Sequence, residues 1–152
     1  MDYKFDAKDV GGYELLKEGE YEAVIEGIET KTLQSGKEKI GIKFRIRNDV
    51  EQEGKNRIVF EDIWKEKENP QYFNRKRLNQ LLGTQHLHDG MTFDGIDSVL
   101  AVLKGAYVRI KVAVQFSEYR KEDENKIAYY KTTTKPAQKI EKKEIKDEDV
   151  PF

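Results

Sequence analysis

The side chains best suited to chemistry in this chain are cationic and aromatic, and they recur on alternate residues. Lys39, Lys43, Arg45 and Arg47 share one parity, while Ile40, Ile42, Phe44 and Ile46 share the other. Arg57, Arg109 and Lys111 extend the cationic set, and Tyr119, Arg120 and Lys121 form a further cluster. Trp64, Tyr107 and Tyr130 are candidate exposed rings. A row of positive charges beside flat rings is what a groove for an unpaired polynucleotide needs. The charges take the phosphates, and each ring stacks on a base for about 1–3 kcal/mol. Basic residues on the wet face of a strand are common in a chain with 38% charged residues, so no single one carries the argument. The run on one strand, matched by Arg109 and Lys111 on another, does carry it.

Other chemistries have little support. His86-Leu87-His88-Asp89 has the look of part of a metal site, but the chain has two histidines and no cysteine, and no third ligand has a supporting pattern. Without cysteine, disulfides and thiolate chemistry are excluded. There is no glycine-rich phosphate loop, nucleophile elbow or paired-carboxylate signature. A non-catalytic protein that needs no cofactor is expected. No apolar run approaches the length of a membrane span, and the first residues lack a basic stretch followed by an apolar one. A cytoplasmic protein without membrane contact is expected.

The net charge of −1 conceals a segregation. Residues 1–30 carry three lysines and nine acids, and residues 147–152 carry three more acids. The remaining 25 basic and 17 acidic residues give the middle of the chain a net +8. A basic body between acidic ends suits a polyanion binder better than the total charge does.

Hydrophobic periodicity supplies the elements that would position these groups. Residues 1–19 read as an irregular arm packed on a domain at 20–134, and residues 135–152 as a flexible tail. Tyr21, Ala23 and Ile25 mark a first strand over 20–30, closed by a turn at Ser35-Gly36. A second strand over 38–47 places Lys43, Arg45 and Arg47 outward, because successive side chains point opposite ways. A third strand, 57–65, has Ile58, Phe60, Ile63 and Trp64; its parity breaks between Phe60 and Ile63, which predicts a bulge or a bend. Phe44, Phe60 and Tyr129 are assigned to the core, Tyr107 and Tyr130 to solvent, and Trp64 to either side depending on that bulge.

Asn69-Pro70 predicts a helix start, with Leu78, Leu81 and Leu82 as its apolar stripe and Gly83 at its end. Ile96, Val99, Leu100 and Leu103 predict a second helix over 96–104. A fourth strand, 106–116, turns Val108, Ile110, Val112, Val114 and Phe116 inward and Tyr107, Arg109 and Lys111 outward. A fifth spans 126–133. Three strands, a helical insert and two strands is the element order of the five-stranded Greek-key barrel known as the OB-fold, a mainly β architecture that binds oligonucleotides on strands 2 and 3 and the flanking loops. A β-sandwich with a helical insert has the same string and stays open.

The last six residues, Asp147-Glu148-Asp149-Val150-Pro151-Phe152, combine three acids with a terminal aromatic. An apolar socket with a basic rim would grip the ring, its α-carboxylate and the acids together. This end resembles the acidic tip of bacterial single-stranded DNA-binding proteins, with Glu148 and Val150 in place of the usual Asp and Ile. The spacer before it is short and lysine-rich where that family's is long and glycine-rich. The body is similar to a family of small bacteriophage replication and recombination proteins over roughly residues 3–132. The likeness rests on Gly12-Tyr13-Glu14-Leu15-Leu16 before Glu18-Gly19-Glu20-Tyr21, on Ile46-Arg47-Asn48-Asp49-Val50, and on Asn56-Arg57 before Ile63-Trp64. The resemblance implies a phage-encoded single-stranded DNA-binding protein acting in the host cytoplasm, its tip recruiting replication or recombination proteins. A module that presents a host-like tip as a decoy, with no affinity for DNA, is the alternative. Oligomeric state and DNA-versus-RNA preference stay open.

Overall fold

The computed structural model describes residues 1–5 and 15–135. The chain is mainly β: five antiparallel strands form one open sheet in the order β3-β2-β1-β4-β5, with two short helices between β3 and β4. The strands are β1 (Gly19–Thr32), β2 (Glu38–Ile46), β3 (Ile58–Trp64), β4 (Tyr107–Ser117) and β5 (Glu122–Thr132). The helices are α1 (Arg75–Leu82) and α2 (Gly95–Leu103).

One face of the sheet is apolar and closed off from water. Tyr21, Ala23, Ile25 and Ile28 of β1 meet Ile40, Ile42, Phe44 and Ile46 of β2 and Val108, Ile110 and Val112 of β4. Leu78 and Leu81 of α1 and Leu100 and Leu103 of α2 join the same cluster. β1 is long enough to pair with two neighbours in succession, using residues 19–24 for β4 and 23–32 for β2. An irregularity between Ile25 and Gly27 lets it change direction between them.

The two outer strands, β3 and β5, are joined through side chains. Tyr130 of β5 donates to Glu61 of β3 at 2.5 Å, and Arg77 of α1 donates to Glu61 at 2.6 Å and to the Ile127 carbonyl at 2.9 Å. Tyr130 also stacks on Phe44, with ring centroids 5.9 Å apart. Burial pushes the Glu61 carboxyl above its ordinary value, against the opposing pull of Tyr130 and Arg77. It also pushes the Tyr130 hydroxyl well up.

Several expectations are corrected. Tyr130 is 8% exposed and lies in the core, and Tyr129 points outward in its place. The register of β5 shifts opposite Lys111 and Val112, so Ile127 faces in and Tyr129 faces out although they share a parity. β3 has no bulge; its pairing with β2 is unbroken from Lys39 with Trp64 to Arg45 with Ile58. Val59, Glu61 and Ile63 therefore share the inner face, and Phe60 and Trp64 the outer one. Val114 and Phe116 are exposed because β4 runs on past Gly19, where β1 begins, and has nothing to bury against there.

Helix α1 starts at Arg75, after the Asn74 side chain accepts from the Arg77 N–H at 3.1 Å. Asn69 instead accepts a turn bond from Tyr72, and Phe73 bridges to Lys65 before the helix begins. Before β1, the Asn125 side chain grips both the N–H and the carbonyl of Leu16, at 2.9 and 3.0 Å. Leu16 is buried against Gly54, where φ is +73° and an added Cβ would stand 2.6 Å from Leu16 Cδ2. Glycine is needed there on both counts. Tyr3 and Phe5 are exposed. The tip at 147–152 and its spacer lie outside the described residues.

Candidate functional site

The register of the first three strands sorts the outer face of the sheet into cross-strand rows. Lys31, Lys39 and Trp64 form one row; Glu29, Gly41 and Asp62 the next; Gly27, Lys43 and Phe60 the third. The fourth joins Val24, Arg45 and Ile58. Alternate rows thus put a lysine beside an aromatic ring, on an edge strand where the rings meet solvent. Phe60 is 66% exposed and Trp64 is 41% exposed. Large aromatics in water carry an unmet burial free energy, and monomeric proteins tend to reserve such patches for ligands.

The cations around these rings differ in how committed they are. Lys43 is exposed, and its side chain forms no ion pair or hydrogen bond among the described residues. Lys39 Nζ lies 3.0 Å from Asp62 and 5.3 Å from the centre of the Trp64 ring. Asp62 is exposed and Lys39 partly shielded, so the pair is worth about 1 kcal/mol, little enough for a phosphate to replace the carboxylate. Lys31 stretches across Gly41, its Cε 3.2 Å from where a Cβ on Gly41 would stand. Arg45 is more firmly held, by Glu26 at 2.6 and 3.0 Å and by the Asn56 carbonyl at 2.9 Å. Its hydrogen bonds hold the Glu26 carboxyl below the ordinary range. Arg57 immediately precedes β3.

The other predicted cations do not join this patch, because β1 carries an acidic column between the two halves of the face. Arg109 of β4 donates to Glu20 at 2.7 Å and to Glu22 at 2.7 Å. Glu20 also accepts from Tyr129 at 2.5 Å and pairs with Lys131 at 2.9 Å. Lys111 faces Glu20 across the β1 and β4 pairing. Arg47, expected to point outward, is only 3% exposed. It is folded over the Tyr107 ring at 4.2 Å, bound to Asp49 at 2.9 and 2.7 Å, and donates to the Lys135 carbonyl. Glu22, 2% exposed, receives Thr133 and Thr134 as well as Arg109. Each charge in this cluster is compensated, as burial requires. Its evident effect is to fasten residues 133–135 to β1 and β2. Tyr107 is accordingly covered by Arg47 and is no open platform. Tyr119 and Lys121 sit in the exposed turn between β4 and β5, while Arg120 pairs with Glu122 and Glu124.

The acidic column has a consequence for pH. Hydrogen bonds from Arg109, then Tyr129 and Lys131, hold Glu20 at about 2, against an ordinary 4.5. The unfolded chain binds the proton first, so this stabilisation is complete above pH 4.5 and fades as pH falls toward 2. Glu20→Gln is expected to lower the urea midpoint at pH 7 and to leave it near the unsubstituted value at pH 2. An equal deficit at both pH values would show that the Glu20 charge is not what stabilises the sheet.

Phe60 is the site residue that sequence reasoning missed. Its parity with Trp64 was visible, but inward Glu61 between Val59 and Ile63 disguised the period. Among the described residues, no group of three or more His, Asp or Glu side chains is placed to hold a metal ion. No helix among them is long and apolar enough to cross a membrane. Residues 3–139 match the family described as protein of unknown function (DUF669), and the chain belongs to that family. No curated protein matches the sequence.

Proposed function

We propose that this member of the DUF669 family binds single-stranded DNA, without catalysis and largely without sequence preference, on the outer face of β2 and β3. The observation that carries the reading is the pairing of exposed Phe60 and Trp64 with Lys43 and Lys39 in alternate rows of that face. Rings supply sequence-tolerant stacking, and the ammonium groups supply phosphate contacts. The groove is narrower than the charge pattern alone implies, since the cations of β4 answer to the glutamates of β1. An OB-like barrel is the architecture the fold supports best. The strand order, the side-chain closure of β3 on β5 and the helices inserted between β3 and β4 all agree with it. The phage replication or recombination setting follows from the family resemblance, and the tip at 147–152 is assigned to recruiting partner proteins in that setting.

Trp64 is the single tryptophan, so its fluorescence reports on the site alone. Oligo-dT is expected to quench it at low salt. Affinity should fall with salt at a slope of about −0.7 per phosphate neutralised, hence about −2 if Lys31, Lys39 and Lys43 each take one. A chain lacking residues 150–152 should keep or gain DNA affinity while losing its protein partner in a pull-down. Failure of every single strand to bind, with capture by the tip intact, would favour the decoy reading.

A further inference from the structure

The spacing of the two rings constrains how a strand would lie on the patch. Phe60 and Trp64 are four residues apart on a strand that rises about 3.3 Å per residue, so their platforms stand about 13 Å apart. Stacked nucleotides rise about 3.4 Å each, which would leave several bases between the rings with nothing beneath them. A strand drawn out to roughly twice that rise meets the two rings with every second base. The row between the rings has no aromatic. It is floored by Gly41, bordered by Asp62 on one side and Glu29 on the other, and crossed by the alkyl chain of Lys31. That row cannot stack a base, but three lysines surround it: Lys31 above it, and Lys39 and Lys43 one row to either side.

We infer that the site holds an extended strand in alternate register, with nucleotides n and n+2 stacked on the two rings and the intervening nucleotide unstacked, its flanking phosphates on Lys31, Lys39 and Lys43. The inference rests on the single-strand reading above and deepens it. It makes base-to-base spacing, and not base identity, the quantity the patch selects. The three-residue rows on β1, β2 and β3 provide the selection, because the ring positions are fixed by the sheet ladder while the long lysine chains can follow the backbone, Lys39 by exchanging Asp62 for a phosphate.

The test uses twelve-nucleotide strands that are abasic except for two thymines separated by zero, one, two or three abasic positions, with uniform dT12 as reference. Binding to the full chain is read by fluorescence anisotropy of a 5′ label. Affinity is expected to peak at one abasic position, on the order of tenfold above the adjacent pair. The peak should vanish in Phe60→Ala and persist in Phe60→Trp. A peak at any other spacing, an affinity independent of spacing, or a peak that survives Phe60→Ala would overturn the alternate register while dT12 binding upholds the parent reading. If dT12 itself fails to bind, the parent reading falls and this one with it.

Discussion

Replacing both Phe60 and Trp64 with alanine is expected to weaken single-stranded DNA binding by about 25-fold or more. Two lost stacks at about 1–3 kcal/mol each amount to at least that much, with about 1.4 kcal/mol to each factor of ten. The fold should hardly notice. Both rings point away from the core, and surface substitutions of this kind usually stay within about 0.5 kcal/mol. Anisotropy of a labelled oligo-dT measures the first effect, and thermal melting the second. Tyr129→Ala is the matched control: it removes another exposed ring of the outer face, but one beyond the acidic column of β1, and should bind normally. Equal loss in the double variant and in the control would place the DNA across the whole sheet and not on β2 and β3 alone.

Arg77→Ala is expected to be strongly destabilising although it lies outside the apolar core. It would leave Glu61 in the seam between β3 and β5 with Tyr130 as its only remaining side-chain partner of those that hold it, and would open the Ile127 carbonyl. Removing one member of a buried ion pair costs about 3–5 kcal/mol, and both side chains here are only partly shielded, so about 3 kcal/mol is expected. For a chain of this size that is a fall in melting temperature on the order of 10 °C. Arg77→Met combined with Glu61→Gln should recover part of the loss, because no ionised group is then stranded. A double variant as unstable as Arg77→Ala would mean that Arg77 acts through packing on Tyr130, whose ring it covers at 4.3 Å, and not through charge.

The two predictions turn on the same residue from opposite sides. Glu61 is the one acid on the inner face of β3, and its inward position is why Phe60 faces water. A reader of the sequence sees an acid among apolar residues and infers that the alternation has slipped. The ladder shows that it has not, because Arg77 arrives from α1 and Tyr130 from β5 to satisfy the carboxylate. Those partners are 16 and 69 residues away along the chain, and no local pattern announces them. Arg47 errs the other way: its parity is outward, yet Glu22, Asp49, Tyr107 and the chain at 133–135 close over it.

What the sequence determined by itself was whatever depends on neighbours along the chain. The alternation of Ile40 to Ile46, the runs of β1 and β4, the two helices between β3 and β4 and the mainly β character follow from period and turn chemistry. The cationic and aromatic inventory was legible too, including an outward Lys43 and Arg45. What only the tertiary structure decided was which charges remain available and which rings stay bare. That is settled by the glutamates of β1, which lie across the sheet from the arginines they bind. Coulomb attraction and desolvation act through space, so the outer face is sorted into committed and uncommitted cations only after the strands have found their register.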